Sequence, residues 1–209
     1  MIASARVNSS FKRYSKVLSS RRLTGAQAAF EILRYYGITN VQIERVSGNL
    51  TDHFDPRTNV IRLSDNVYNS TSVAAIGVAC HEAGHAAQYA QGYSPIKIRN
   101  KVLPLANLGS KLGVPLAILG YILSFEPLAM AGVIFFSFAV VFQIITLPVE
   151  FNASKRALTV IGDADILTDE EKKGAKSVLS AAAMTYVASL AVSIASLLRL
   201  ILTINRRRD

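Results

Sequence analysis

The chain has 209 residues, of which 51% are hydrophobic and 18% are charged. Soluble domains carry about 25% charged residues, so this composition favours a membrane protein over an ordinary soluble globule and argues against a disordered chain. The single cysteine excludes a disulfide framework and a cysteine-rich zinc finger. The formal net charge of +9 is typical of proteins that bind nucleic acid or an anionic membrane surface, and of cytoplasmic loops in membrane proteins.

The first hundred residues predict a small unit of helices and short strands. Thr24 and Gln27 have the spacing of a helix capping box, so a helix is expected to begin there and to end before Gly37. The other elements predicted in this part are a strand at 41–44, a turn at 55–59, a strand at 60–63 and a helix from about 72 to 91.

Three later segments are apolar enough to cross a membrane. Charge-free runs of 23 and 22 residues cover 127–149 and 177–198, and a helix of about 20 residues spans the hydrocarbon core. The second run is richer in Ser, Ala and Thr, so a buried amphipathic helix is its alternative. A third candidate, 102–125, can cross if Lys111 extends to the interface. We therefore predict two or three transmembrane helices.

The charge distribution predicts an orientation in the membrane. Residues 1–102 contain 13 Lys or Arg and 6 Asp or Glu, and the positive-inside rule places such a segment in the cytoplasm. Arg206-Arg207-Arg208 conflict with this orientation if 177–204 crosses once, so either that helix does not cross fully or the number of spans differs. We predict a multi-pass protein of the cytoplasmic membrane whose active site faces the cytoplasm.

The predicted helix at 72–91 contains the motif His81-Glu82-Ala83-Gly84-His85. Residues i and i+4 lie on one face of a helix, so the two imidazoles can bind one Zn²⁺ ion. Glu82 is then placed to take a proton from a water that the metal activates, which is the general-base role in a metallohydrolase. The alternative is an amphipathic helix with two solvated histidines. Cys80 points about 100° away from His81 and is predicted to be a core residue.

A zinc site needs a third protein ligand, and two residues are candidates. Glu150 follows the charge-free run, and two crossings between His85 and Glu150 return the chain to the side that it left. This topology favours Glu150, whose alternative role is to mark the membrane interface. His53 is the remaining histidine, and for it we favour a polar residue bonded within the turn that precedes Asp55.

These residues and their order resemble the YugP-like bacterial membrane zinc metallopeptidases over nearly the whole chain. The stretches that carry the resemblance are Leu23–Ala26, Leu50–Arg57, the 72–92 helix and Leu147–Phe151. The resemblance implies that His81, Glu82 and His85 occupy the family's zinc-motif positions. The layout is more distantly similar to that of the HtpX and CAAX-prenyl endopeptidases, where a membrane hairpin separates the two-histidine helix from a glutamate ligand. This implies that Glu150 is the third ligand.

The resemblance also implies features that this sequence meets only in part. Members usually begin with an extra hydrophobic span, which leaves open a truncated or misassigned start here. HtpX-like enzymes carry an acid four residues after the glutamate ligand, where this chain has Ser154, so we expect another residue to support the ligand histidine. The related fold has an edge strand that binds substrate through its backbone. We assign that strand to Val60, Ile61, Arg62 and Leu63, with an ordinary core strand as the alternative.

The resulting prediction is a mostly α, α+β protein with a small gluzincin-like metalloprotease unit and a membrane hairpin between the motif helix and the third ligand. Its predicted parts are a catalytic part at 1–101, a transmembrane hairpin at 102–149, and a third-ligand helix with a C-terminal hydrophobic helix at 150–209.

The predicted function is that of a membrane-bound endopeptidase with one Zn²⁺ ion, acting on peptides or membrane proteins. His53 and Arg156 are weak candidates for stabilising the oxyanion. The alternative is a catalytically silent, metal-binding membrane scaffold or quality-control adaptor. A nucleic-acid module is disfavoured because the basic residues are not interleaved with aromatic ones. The oligomeric state is left open.

Overall fold

The computed structural model describes residues 2–205, without the side chain of residue 2. The predicted conflict over whether the last helix crosses the membrane depends on Arg206-Arg207-Arg208. These residues lie outside the described residues. The predicted fold class, mostly helical with a short sheet, is confirmed. The elements are α1 (Ile2–Tyr14), α2 (Gly25–Tyr35), β1 (Gln42–Val46), β2 (His53–Asp55), β3 (Val60–Ser64), α3 (Asp65–Tyr68), α4 (Val73–Ala90), α5 (Ser94–Ile122), α6 (Glu126–Asp163) and α7 (Asp169–Asn205).

The chain forms two compact units. The first comprises Met1–Tyr93 and Glu150–Thr185, and the second comprises Ser94–Val149 and Tyr186–Asp209. The segment 150–209, predicted as one part, is thus divided between the two units. Helices α6 and α7 have 38 and 37 residues. The polar part of α6 follows its charge-free run, and the polar part of α7 precedes its run.

Local side-chain bonds begin the two helices that form the centre of the first unit. The hydroxyl of Thr24 accepts from the amide of Gln27, and the Gln27 side chain accepts from the amide of Thr24, so the predicted capping box is present. Ser72 caps α4 in the same way by accepting from the amide of Ala75 at 3.2 Å. Helix α4 ends at Ala90, two residues before Gly92, whose φ of 66° an L side chain rarely adopts.

The sheet has the order β1-β3-β2, with β3 parallel to β1 and antiparallel to β2. The prediction that Val60, Ile61, Arg62 and Leu63 form an edge strand is therefore wrong, and the alternative of a core strand is correct. β2 pairs with one edge of β3, and β1 pairs with the other. Val60, Ile61 and Leu63 are accordingly buried, and β1 and β2 form the edges of the sheet.

Helix α4 is the core helix of the first unit. Thirteen of its 18 residues are buried, and small residues such as Ala79 and Ala83 let neighbouring elements approach it closely. Burial on most sides forces the polar residues on this helix to find partners inside the protein, since an unbonded polar group costs about 1–3 kcal/mol.

The second unit contains most of the apolar sequence. Helices α5, α6 and α7 are each long and apolar enough to cross a membrane. Within this unit α5 and α6 pack through glycines: a Cβ on Gly109 would collide with the Phe135 carbonyl, and one on Gly132 would collide with the backbone of Ala117. Small residues at such contacts are typical of helix pairs in membranes.

Candidate metal centre

His81, His85 and Glu150 converge in the first unit, and we call these three residues the donor cluster. Their candidate ligand atoms all lie within 4.8 Å of one another. The Nε2 atoms of His81 and His85 lie 3.3 Å and 3.6 Å from the same oxygen, Oε2 of Glu150. Helix α4 supplies the two histidines one turn apart, and α6 supplies the glutamate just after its charge-free run.

The donor spacing fits a zinc ion. Zinc binds imidazole nitrogen and carboxylate oxygen at about 2.0–2.2 Å with tetrahedral geometry, which places neighbouring donor atoms about 3.4 Å apart. The two measured nitrogen–oxygen distances lie on either side of that value. Three protein donors also leave one position of a tetrahedron open, as in catalytic rather than structural zinc sites.

A chain of hydrogen-bonded polar groups holds the ring of His85. The side-chain oxygen of Gln88 accepts from Nδ1 of His85 at 3.0 Å, and the Gln88 amide nitrogen donates to Asn152 Oδ1 at 3.0 Å. Arg156 donates to the same Asn152 oxygen at 2.7 Å and also bonds Gln91. Because Nδ1 carries the proton that Gln88 accepts, Nε2 of His85 keeps its lone pair for a metal.

Ser154 holds the ring of His81. Its hydroxyl lies 3.1 Å from Nδ1 of His81, one helical turn after Glu150 on α6. The expectation that support for the ligand histidine comes from another position is therefore wrong. The serine side chain is shorter than an acidic side chain and its hydroxyl is uncharged. It still reaches the ring of His81 because α4 and α6 lie very close together here.

Gly84 permits this close approach. A Cβ at Gly84 would lie 2.6 Å from the carbonyl oxygen of Ala153, closer than real Cβ contacts come. The glycine between the two histidines of the motif therefore lets the backbone of α6 lie directly against α4. This contact brings Glu150 and Ser154 within reach of the histidine rings.

The electrostatics of the donor cluster favour a cation. Burial acts to lower the pKa of His85, but the hydrogen bond to Glu150 and the charge of Glu82 more than offset it, so this pKa lies above its ordinary value. Glu150 is 4% exposed, and a carboxylate so deeply buried needs a positive partner. A bound divalent cation would meet this need.

The other predicted site residues lie as follows. Glu82 is partly exposed on α4 between the two histidines. His53 is exposed on β2, where its Nδ1 bonds the Thr51 carbonyl at 2.8 Å, so it is not a member of the donor cluster.

The guanidinium of Arg156 lies over the rings of Tyr36 and Tyr93. Cys80 is fully buried, which raises the pKa of its thiol, in agreement with its predicted place in the core.

Gln88, Asn152 and Gly84 were not singled out by the sequence reasoning. One local signal was available, because Gln88 is three residues after His85 and so shares its helix face. Asn152 lies two residues after Glu150, where no helical spacing relates it to the histidines. Its part in the site depends on the packing of α6 against α4.

Comparison with known proteins assigns the chain to a family. Residues 1–205 match the family described as putative neutral zinc metallopeptidase. The chain is 45% identical over 207 residues to the Bacillus subtilis (strain 168) protein named putative membrane protease YugP, with 99% of this chain and 92% of that protein covered. No solved structure matches the chain significantly. These matches support a protease, a zinc cofactor and a membrane location. The chain belongs to the family of putative neutral zinc metallopeptidases.

Proposed function

We propose that this protein is a membrane-bound, zinc-dependent endopeptidase. The observation that carries the proposal is the convergence of Nε2 of His81, Nε2 of His85 and Oε2 of Glu150 at zinc-ligand spacing. One ion is proposed, because one open position on a three-donor site is enough for a hydrolytic reaction.

Glu82 is the proposed general base. A zinc ion held by the donor cluster would supply Lewis-acid chemistry, polarising the scissile carbonyl and lowering the pKa of water. The Glu82 carboxylate takes a proton from the attacking water and passes it to the nitrogen of the leaving amine. Gln88 and Ser154 keep the histidine rings oriented while this proton moves.

The proposed substrates are peptides or membrane proteins, and the proposed setting is the cytoplasmic membrane. The three long apolar helices and the name of the B. subtilis relative support the membrane location. The excess of Lys and Arg in residues 1–102 supports a cytoplasmic active site.

The change Glu82→Gln tests the mechanism. It keeps the size of the side chain but removes the base, so peptide hydrolysis by zinc-loaded protein is expected to fall about 10²–10⁴-fold. The measurement is the cleavage rate of an unfolded protein substrate, together with zinc content by metal analysis. Glu44→Gln, an exposed change on β1, is the matched control and should keep full activity. Undiminished hydrolysis by Glu82→Gln with zinc retained would refute the mechanism and favour a metal-binding scaffold.

Removing one donor tests the ligand set. Glu150→Ala and His85→Ala should each lower zinc affinity by at least tenfold, because a tetrahedral site then holds only two protein ligands. Zinc per chain is measured after dialysis against a weak chelator. Glu170→Ala, an exposed acid on α7, should bind as wild type does. Full zinc occupancy in Glu150→Ala would remove Glu150 from the ligand set.

A further inference from the structure

The first unit contains a groove that the proposed mechanism does not use. It lies between residues 151–159 of α6 and residues 172–184 of α7 and has a volume of about 600 Å³. We call it the α6–α7 groove. Its lining is mainly apolar, with Phe151, Leu158 and Leu179 among the contributors. Ligand sites commonly have volumes of about 300–1,000 Å³ and mostly apolar walls, so this groove can hold a short peptide segment.

The charges of the groove all have one sign. Lys155, Lys172 and Lys176 line it, and no acidic residue does. Within residues 2–205, none of these three ammonium groups has a carboxylate within 4 Å. The Nζ of Lys172 lies against the backbone of Gly162, in the space that a side chain there would fill.

Lys173, which follows Lys172 in sequence, lies outside the groove and has an acidic partner. Lys173 is exposed, does not line the groove and pairs with Glu170 at 2.6 Å. The groove lysines therefore give the groove a positive field with no carboxylate to balance it, and this field favours an anionic occupant.

Ser154 links the groove to the donor cluster. It lines the groove, and its hydroxyl also bonds the ring of His81. Phe151, at one end of the groove, directly follows Glu150 in sequence. A chain lying in the groove would therefore lie beside the residues proposed to hold zinc.

We propose that the α6–α7 groove binds the substrate segment next to the scissile bond and selects an apolar side chain followed by acidic residues. The inference rests on the proposed peptidase function, since it assigns the substrate class for that same site. The apolar wall receives the apolar side chain, and the ammonium groups of Lys155 and Lys176 pair with the carboxylates. The hydroxyls of Ser154, Thr159 and Ser180 offer hydrogen bonds to a peptide backbone. A lipid headgroup, the competing anionic occupant, would use the charges but would not need to lie beside the donor cluster.

The test uses three fluorescent peptides that are identical except for two residues after a leucine, which are Glu-Glu, Gln-Gln or Lys-Lys. Their kcat/KM values are measured with the full-length, zinc-loaded protein in detergent. Their binding is measured by anisotropy with the Glu82→Gln protein. We expect the Glu-Glu peptide to exceed the Lys-Lys peptide about tenfold in both measurements, with the difference in kcat/KM arising from KM.

Charge reversal in the groove provides the decisive comparison. Lys155→Glu combined with Lys176→Glu should reverse the preference, so that the Lys-Lys peptide binds about tenfold more tightly than the Glu-Glu peptide. Lys173→Glu changes the net charge in the same direction outside the groove, so it should leave the preference of wild type unchanged. Zinc content is measured for each variant, and equal values show that the donor cluster is intact.

The possible outcomes separate this inference from the proposed function. Charge-dependent binding without cleavage would support the groove and refute the peptidase. Cleavage with no charge preference, or no binding of any peptide, would overturn the groove. The groove is also overturned if the reversal changes only retention on phosphatidylglycerol vesicles relative to phosphatidylcholine vesicles and leaves peptide selectivity unchanged, because the occupant would then be a lipid.

Discussion

At the scale of single residues, each histidine of the donor cluster has both ring nitrogens engaged. Nε2 points to Glu150, while Nδ1 bonds Gln88 in one ring and Ser154 in the other. These second bonds determine which nitrogen carries the proton, and therefore which nitrogen can bind a metal. Gln88 is fully buried, and its side chain connects the ring of His85 to Asn152.

The role of Gln88 leads to a prediction about metal affinity. In Gln88→Leu the Nδ1 proton of His85 loses its acceptor, and zinc affinity should fall about 10–100-fold. Competition with a fluorescent zinc chelator measures this change. Gln42→Leu makes the same change at an exposed position on β1, away from the polar groups that hold His85, and its zinc affinity should stay within about twofold of wild type. Equal affinities in the two variants would contradict a positioning role for Gln88.

At the scale of elements, the site depends on how closely α6 lies against α4. Two glycines on α4 face neighbouring elements, but they differ in the space available. A Cβ on Gly84 would lie 2.6 Å from the Ala153 carbonyl oxygen, whereas one on Gly77 would lie 3.4 Å from the Ala175 Cβ, an ordinary contact. The narrow spacing at Gly84 therefore lies at the donor cluster, and the spacing at Gly77 is less restricted.

This difference predicts opposite results for two equivalent changes. Gly84→Ala should push α6 away from α4, lower the free energy of unfolding by about 1–3 kcal/mol and weaken zinc binding. Gly77→Ala adds the same methyl group where space exists, and the better helix propensity of alanine should stabilise the protein by up to about 1 kcal/mol. Thermal unfolding with and without zinc measures both effects. A Gly84→Ala protein that unfolds and binds zinc as wild type does would show that the close approach is unimportant.

At the scale of the whole molecule, the distribution of basic residues predicts which side of the membrane the donor cluster faces. The turn at 55–59 belongs to the basic part of the chain, and the connection between α5 and α6 lies between two apolar helices. With the basic part in the cytoplasm, this connection is expected on the opposite face.

Cysteine labelling in intact bacterial cells tests the orientation. Leu123→Cys, exposed directly after α5, should react with a membrane-impermeant maleimide from outside. Arg57→Cys should react only after the cells are permeabilised. Cys80 is fully buried, so the wild-type chain provides a low background in both conditions. The reverse labelling pattern would place the active site outside the cytoplasm.

Much of this protein follows from local sequence. A capping box, a turn and helical spacing act over a few residues, so α2, α4 and β3 were predicted close to their observed bounds. The pairing of His81 with His85 is equally local, because one helical turn places both rings on one face. The charge-free runs, and with them the apolar helices, could be read for the same reason: the apolar length needed to span a membrane is a property of one continuous stretch of sequence.

Tertiary structure decided the features that depend on contacts between elements. Glu150 joins the donor cluster, Ser154 reaches the ring of His81 and Gln88 reaches Asn152 only because α6 packs against α4 at Gly84. The central position of β3 likewise depends on strands at both of its edges, which no pattern within Val60–Ser64 reveals. Sequence by itself determined the motif, its helix and the apolar runs, because these depend on neighbours along the chain. The complete donor set and the groove beside it were decided by folding, because they join residues from separate helices.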